Sequence, residues 1–312
     1  MEHTLSTTIK DKQFDKTFVE VPCEGSLDGR DNNQLRLFRL RSVIDKTFDM
    51  EALRRFISVN VGNYIFTRTK IQKYIDDDER EMIGLDAVDE LRKNRKADVR
   101  DTGTEIGEVM LYIFLEAVLK APKLYSKVEL APGRSGKDSI ADGIHILLTE
   151  NDGNKISYEM VFGSSSVIWD LGDAIDDAFN RVAKIKAHAR KEIALVEESV
   201  FNMPYNAPEV PFLEEIINNP NKLKISKNTA YGIFLGFSLG LDKSRRDDEY
   251  LEYIDSKIND EIMHFLPQIK QKIADLGLTD RSFYIYVFPF DNAEEDKKAV
   301  MRSVMKEGEL YE

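Results

Sequence analysis

The stretch from Ile140 to Val167 reads IADGIHILLTENDGNKISYEMVFGSSSV and predicts two antiparallel strands joined by a tight turn. Its centre, Asn151 to Asn154, combines Asn, Asp and Gly, which tolerate the positive φ that a hairpin reversal needs. Runs rich in Ile, Leu, Val and aromatic residues lie on both sides of this turn. The sequence therefore predicts a β-hairpin at the centre of the fold.

The hairpin register follows from the turn. If the turn is centred between Asp152 and Gly153 with one extra loop residue, facing positions sum to about 306, so that Asp142 pairs with Ser164. Because side chains alternate along a strand, each face collects every second residue. One face carries Asp142, Ile144, Ile146, Leu148, Tyr158, Met160, Phe162, Ser164 and Ser166, and the other carries Gly143, His145, Glu159, Val161 and Gly163. The first face is apolar in its middle and polar at the end with Asp142, Ser164 and Ser166.

Length and composition describe a globular protein with a sizeable core. The chain has 312 residues, 42% hydrophobic and 32% charged, which suits one large domain or two modest ones. We find no apolar run of the roughly 18 residues that span a bilayer and no signal-peptide pattern, so we expect a cytoplasmic protein with no membrane contact. A single cysteine, Cys23, excludes an intramolecular disulfide and a cysteine metal cluster.

The net charge of -12 argues against general affinity for nucleic acid, because such a protein repels a phosphate backbone unless it has a local basic patch. Three groups could form one: Arg36, Arg39 and Arg41; residues 92–96; and Arg181, Lys184, Lys186, Arg190 and Lys191. The last group is spread round several faces of a predicted helix, which favours a solvated surface. Composition alone therefore predicts no nucleic-acid partner.

The C-terminal two thirds predict an α/β fold, with a mixed sheet and flanking helices. Residues 231–241 and 283–290 are near-continuous apolar strands separated by a helix over 248–276, an order typical of parallel neighbours with a crossover. Further helices are predicted over 101–120, which is strongly apolar, over 170–198, which packs on the hairpin, and over 293–306.

Residues 1–100 predict an N-terminal α+β region that serves support or partner recognition. Phe14, Phe18 and Val21 alternate before a turn-rich segment that separates two short strands, the second over 35–40. A helix begins after the capping residue Asp49, and a charged helix is predicted over 76–96. We place the boundary at residue 100, with residues 101–312 as the second domain.

A resemblance to a known family rests on three segments in order: GEVMLYIFLEAVLKAPKLYSKVEL from Gly107, ADGIHI from Ala141 and YEMVFGSSSVIWDLGDAIDDAF from Tyr158. A helix with an acid, a strand and then a hairpin with Asp is the order of restriction-endonuclease-like PD-(D/E)xK cores. Over residues 100–300 the chain more closely resembles the HamA family, the nuclease subunit of the Hachiman anti-phage defence system. The resemblance implies a DNA endonuclease that needs Mg²⁺ or Mn²⁺ and is controlled by a superfamily 2 helicase of HamB type.

The resemblance assigns the site residue by residue. Glu108 matches the helix acid and Asp142 the strand Asp, so both would bind the metal. The family's Gly-Glu-x-Lys falls on residues 163–166, where Ser164 and Ser166 replace Glu and Lys. Losing a carboxylate weakens Mg²⁺ binding, and losing Lys removes a charge that lowers the pKa of bound water.

Other side chains could supply the missing carboxylate and the missing cation. Glu159 could be the second metal ligand if a bulge near Phe162 or Gly163 turned it to the other face. The missing cation could come from Lys127, Arg134 or Lys137. The sequence therefore leaves two functions open: a metal-dependent DNA endonuclease, or a catalytically degenerate subunit that is an interaction or regulatory partner of the helicase.

Plain structural interpretations stand beside these roles. Asp142 before a glycine could form a turn, and Glu108 could be a favourable charge in the first turn of a helix. A lone histidine in an apolar strand is more often a hydrogen-bonded core residue than a ligand, so we expect His145 to be structural. We expect Trp169 to be a packing anchor.

Overall fold

The computed structural model describes residues 5–28, 33–95, 103–126, 139–151, 155–201 and 229–306. Its centre is a seven-stranded mixed sheet in the spatial order β1-β2-β9-β8-β7-β6-β5. The strands of this sheet are β1 (Phe18–Val21), β2 (Asn33–Leu40), β5 (Lys123–Ser126), β6 (Gly143–Asn151), β7 (Lys155–Val167), β8 (Thr229–Ser238) and β9 (Ser282–Phe290). A separate small hairpin joins β3 (Val43–Ile44) to β4 (Thr47–Phe48).

Helices cover both faces of the sheet. They are α1 (Asp11–Thr17), α2 (Met50–Ile65), α3 (Arg68–Asp76), α4 (Met82–Arg95), α5 (Glu105–Ala117), α6 (Leu171–Ala187), α7 (Ala189–Phe201), α8 (Tyr250–Asp275) and α9 (Ala293–Lys306). α5 packs on β7 and β8 together with α2 and α9, whereas α6 packs on the same two strands and carries α8. Because helices cover both faces of the sheet, a central strand buries the side chains on both of its faces. Every residue of β9 is buried, which agrees with its nearly continuous apolar sequence.

The predicted hairpin and its register are confirmed. β6 and β7 are antiparallel, and the pairs from Ile144 with Phe162 to Asn151 with Lys155 all sum to the predicted 306. Residues 152–154 of the turn lie outside the described residues. β8 is parallel to β9, as the apolar runs 231–241 and 283–290 predict, and it is also parallel to β7.

Several predicted boundaries change. Phe14 belongs to the short helix α1, not to a strand. The helix predicted over 76–96 begins only at Met82, because residue 76 ends α3. The helix predicted over 170–198 is two helices, since the backbone leaves helical geometry at His188. The predicted cap is confirmed: Asp49 accepts a hydrogen bond of 3.0 Å from the Ala52 amide.

The N-terminal region contributes to the same sheet as the rest of the chain. β1 pairs with β2, and β2 pairs in parallel with β9, from Asn33 with Phe283 to Leu37 with Val287. A functional division at residue 100 stays a prediction, but the strands on its two sides form one hydrogen-bonded sheet. In the part of the chain that is described, no helix is long and apolar enough to cross a membrane.

Candidate functional site

Asp142 lies in a bend directly before β6 and is 2% exposed. One carboxylate oxygen, Oδ2, accepts hydrogen bonds of 2.7 Å from both the backbone amide and the hydroxyl of Ser165. The other, Oδ1, lies 2.5 Å from Nη1 of Arg181. The carboxylate thus joins the end of β7, on one side, to helix α6 on the other.

A second buried carboxylate fixes the segment that carries Asp142. Glu192 of α7 is fully buried, and its oxygens accept hydrogen bonds from Ser139 Oγ at 2.7 Å and from the Ile140 amide at 2.9 Å. The Ala141 amide is 3.4 Å from the same carboxylate. Three consecutive residues are therefore held immediately before Asp142, which gives its side chain a defined position.

Arg181 is the cation that pairs with Asp142. Its side chain is 28% exposed and bridges Asp142 and, more weakly at 3.9 Å, Asp177. Burial lowers the pKa of the guanidinium, but the charge of Asp142, the hydrogen bond to it and the charges of Asp177 and Glu108 outweigh burial and raise the pKa. The predicted solvated surface is confirmed for Lys184, Lys186 and Arg190, which are exposed. Arg181 differs, because its side chain extends from α6 to the Asp142 carboxylate.

Glu108 approaches from α5 on the other face of the sheet. Its Oε2 accepts a hydrogen bond of 2.9 Å from the Tyr64 hydroxyl. Glu108 and Asp142 line one narrow pocket, with Tyr64, Leu111, Tyr112, Lys123, Tyr125, Ser126, Gly143 and His145. The structure therefore brings the two sequence-predicted acids to one place.

The pocket also contains a buried lysine. Lys123 is 5% exposed, and its Nζ donates to the Tyr64 carbonyl at 2.7 Å and to the Phe66 carbonyl at 3.1 Å. The ammonium also lies 5.8 Å from the centre of the Tyr112 ring. These contacts hold the charge between α2 and α5.

The serines are arranged differently from the predicted face. Ser164 Oγ donates to the Ala178 carbonyl of α6 at 2.9 Å, and among the described residues the buried hydroxyl of Ser166 has no hydrogen-bond partner. Ser165, which points toward α5, is the serine that contacts Asp142. The predicted grouping is wrong because Asp142 precedes β6, and strand alternation does not govern a residue in a bend.

Glu159 lies elsewhere on the sheet. It faces Leu147 across the hairpin, and its carboxylate accepts hydrogen bonds of 2.8 Å from Ser282 Oγ and from the Tyr284 hydroxyl. The pairing of β6 with β7 is regular through Phe162, so no bulge brings Glu159 to Asp142. Lys127, Arg134 and Lys137, the candidate replacement cations, lie outside the described residues.

His145 is structural, as predicted. It is 2% exposed on the face of the sheet that α5 covers, and its Nδ1 lies 2.8 Å from the Ala121 carbonyl. Burial lowers the pKa of His145 to about 4, against the opposing effects of Glu116 and of this hydrogen bond. The imidazole is therefore neutral at pH 7, with Nδ1 as the donor.

The residues present do not fit Mg²⁺ or Mn²⁺ in this arrangement. Both oxygens of Asp142 already accept hydrogen bonds, one of them from a cation that would repel a metal ion. Mg²⁺ requires about six oxygen ligands near 2.1 Å and usually keeps several waters. The space between the pocket residues is too narrow for one water molecule, and the described residues contain no group of three His, Cys, Asp or Glu side chains that could hold a metal.

Sequence reasoning missed Ser165, Arg181, Lys123 and Glu192. Arg181 follows Ala178 by three positions in a helix whose apolar spacing predicts the buried face, and this spacing could have identified it. Lys123 and Glu192 carry no such signal, because a charged residue in a strand or helix is normally exposed.

Comparison with known proteins gives one result. The family model described as HamA matches residues 12–304. The chain belongs to the HamA family. Membership implies a subunit of the Hachiman anti-phage defence system, and it confirms the family resemblance carried by the helix, strand and hairpin segments. Searches of curated proteins and of solved structures gave no significant match.

Proposed function

We propose that this HamA protein is a catalytically degenerate subunit that acts in anti-phage defence as an interaction or regulatory partner of a superfamily 2 helicase of HamB type. The observation that supports this function is the state of Asp142. Arg181 and Ser165 satisfy both of its oxygens, and serines stand where the family resemblance places Glu and Lys. The Asp142 carboxylate thus connects the end of β7 to α6.

Charge explains why this arrangement is poorly suited to hydrolysis. Cutting a phosphodiester needs stabilisation of developing negative charge and an activated water. A neutral hydroxyl at Ser164 or Ser166 supplies neither a metal-binding charge nor an ammonium. Ser164 also donates its hydrogen bond away from Asp142, to α6. The pocket beside Asp142 has no room for the attacking water.

The second candidate function is a DNA endonuclease, and one observation favours it. Asp142, Glu108 and Lys123 line the same pocket, which assembles two carboxylates and one ammonium. This function requires Arg181 to leave Asp142 when the partner or DNA binds, because only then are the carboxylate oxygens free. DNA would be the substrate and Mg²⁺ or Mn²⁺ the cofactor.

A cleavage assay distinguishes the two functions. The purified chain is incubated with supercoiled plasmid and Mg²⁺ or Mn²⁺, alone and with a HamB-type helicase. Binding of the helicase is measured in parallel. We expect helicase binding with no nicking that exceeds the rate of the Asp142→Ala variant.

The controls make either result informative. Glu252→Ala removes an exposed acid from the first turn of α8, which belongs to no part of the site, and should resemble the wild type in every measurement. Metal-dependent cleavage that Asp142→Ala abolishes and Glu252→Ala keeps would establish the endonuclease instead. Absence of helicase binding by the wild type would contradict the proposed function. Cleavage gained by the double variant Ser164→Glu, Ser166→Lys would support degeneracy directly.

A further inference from the structure

Trp169 is the only tryptophan in the chain, and its side chain is 59% exposed. The expectation that it anchors packing is therefore wrong. Its backbone is nevertheless fixed, because the Ile168 amide donates to the Gly236 carbonyl at 3.2 Å and the Trp169 carbonyl accepts from the Ser238 amide at 3.0 Å. A large ring is thus presented to solvent from a rigid base between β7 and α6.

Acidic side chains follow Trp169 along the first two turns of α6. Asp170, Asp173 and Asp177 are exposed and follow at intervals of three and four, so they share one outward face of α6. Asp170 also caps this helix by accepting a bond of 3.0 Å from the Asp173 amide. Arg181 contacts Asp177 only at 3.9 Å while it binds Asp142 at 2.5 Å. The next cation on this face, the exposed Lys184, lies two turns beyond Asp177, so the N-terminal end of the face is acidic.

A second aromatic side chain borders the same helix end. Phe265 of α8 is half-buried against Gly172, where an added Cβ would lie 2.7 Å from Phe265 Cε1 and 3.0 Å from Asp170 Oδ1. His264, beside it, is exposed. The aromatic–acidic surface defined by Trp169, Asp170, Asp173, Asp177 and Phe265 therefore combines apolar area with negative charge.

This combination selects the kind of partner. An exposed tryptophan could stack on a base, but three neighbouring carboxylates repel the phosphates that accompany every base. Tryptophan is also the residue most enriched among side chains that dominate the affinity of protein interfaces, and opposite charge on the partner orients and accelerates binding. We propose that the aromatic–acidic surface binds a protein partner that offers an apolar pocket rimmed by Lys and Arg.

We assign the HamB-type helicase of the proposed function as the partner that binds this surface, so the inference rests on that function. The Asp142 site and the aromatic–acidic surface are connected through α6. Arg181 and Asp177 lie one turn apart on α6, and Arg181 contacts both Asp142 and Asp177. A partner that docks on Asp177 acts on the same helix that holds Asp142.

The single tryptophan provides a direct probe. The full chain is labelled with 5-fluorotryptophan, which gives one ¹⁹F resonance, and is titrated with the unlabelled helicase in one experiment and with double-stranded DNA in another. We expect the resonance to shift or broaden with the helicase and to stay unchanged with DNA.

Variants measure the contribution of each component. We expect Trp169→Ala to weaken helicase binding about 30-fold, the size typical of a central interface tryptophan. Asp173→Asn together with Asp177→Asn should reduce the salt dependence of binding, because fewer charge pairs remain to be screened. Val59→Ala removes an apolar side chain that is 65% exposed on α2 and should bind like the wild type.

The outcomes separate this inference from the proposed function. Helicase binding with an unmoved resonance and an unaffected Trp169→Ala variant would overturn the surface and leave the proposed function intact. Lack of any helicase binding would overturn both. A shift with DNA, or a shift of the protein alone as its concentration rises, would overturn the assignment in favour of nucleic acid or a second copy.

Discussion

Glu108 and Glu116 lie about two turns apart on α5 but have very different surroundings. Glu116 is fully buried, and its carboxylate accepts hydrogen bonds from the Thr8 amide and hydroxyl and, at 2.8 Å, from the Lys123 amide. Glu108 is partly exposed and is bound by a side chain, the Tyr64 hydroxyl. Backbone amides thus hold Glu116, whereas Glu108 faces an ionic cluster formed with Asp142 and Arg181.

The difference identifies which carboxylates are structural. A backbone donor cannot turn away, so a buried acid that accepts from it has a permanent place and a high cost of removal. Glu192 belongs to this class, since it binds two consecutive amides. Asp142 accepts one such bond, from the Ser165 amide, but its ion pair with Arg181 and its bond from the Ser165 hydroxyl come from side chains. Glu108 accepts a bond from the Tyr64 side chain, and side chains can adopt other rotamers. The ionic cluster is the adaptable end of α5.

Removal of each acid tests the comparison most strongly. Glu116→Ala leaves the Thr8 and Lys123 amides without their acceptor and creates a void, so we expect a loss of about 4 kcal/mol in the free energy of unfolding. Glu108→Ala should cost about 1 kcal/mol, because the Tyr64 hydroxyl can find another acceptor or water. Urea denaturation of both variants measures this difference, and equal losses would contradict the division.

The histidine beside Glu116 predicts a pH dependence. Burial lowers the pKa of His145 to about 4 in the folded protein, against about 6.5 unfolded, so the unfolded chain binds a proton first as the pH falls. Its contribution to stability is complete above pH 6.5, and about 3 kcal/mol is lost by pH 4. Arg68, Glu116 and Lys123 are the charged groups that face it.

The measurement compares the wild type with His145→Asn across this range by urea denaturation. Asn keeps a donor for the Ala121 carbonyl but does not titrate. The stability advantage of the wild type should therefore shrink between pH 6.5 and 4. A constant difference across that interval would show that the imidazole takes up its proton without penalty.

The ion pair between Arg181 and Asp142 gives the next largest expected effect on stability. Arg181→Met leaves the buried Asp142 carboxylate without its cation, and we expect a loss of about 2 kcal/mol, below the usual range for a buried pair because Arg181 is 28% exposed. Adding Asp142→Asn to this variant should recover part of the loss. A double-mutant cycle measures the coupling between the two side chains, and additive losses would argue that the pair contributes nothing.

The serines provide the smallest and most local test. Ser165→Ala removes a hydrogen bond to a carboxylate and should cost about 1.5 kcal/mol, whereas Ser164→Ala removes one to a carbonyl and should cost about 0.7 kcal/mol. Chemical denaturation of the two variants decides their order. The reverse order would mean that Ser164, as the hairpin face alone suggests, is the closer partner of Asp142.

Sequence predicts most of the fold because its signals are periodic. The register of β6 and β7, the parallel pairing of β8 and β9 and the helix over 293–306 all follow from apolar patterns and turn residues. The break at His188 has no proline or glycine to announce it. The pairing of β2 with β9 joins distant segments, which no local pattern specifies.

The candidate site is predicted less well, for a related reason. Asp142 and Glu108 are identified by position in a hairpin and a helix, and the structure brings them to one pocket. The contacts of Asp142 depend on a bend and on a helix 39 positions later, where Arg181 reaches it. Exposure also depends on three-dimensional packing, which is why sequence predicts a packed Trp169 that is in fact exposed and does not predict the ion pair of the partly buried Arg181.

The sheet order has a consequence for synthesis. β2 must wait for β9, because Asn33 pairs with Phe283. At about 5–20 residues per second, the ribosome takes roughly 10–50 s to deliver that partner strand. Throughout this interval the newly made N-terminal hairpin has an unpaired edge, the kind of surface on which nascent chains associate. Its protection during translation therefore depends on binding by chaperones or on neighbouring helices such as α2, which emerges soon after it.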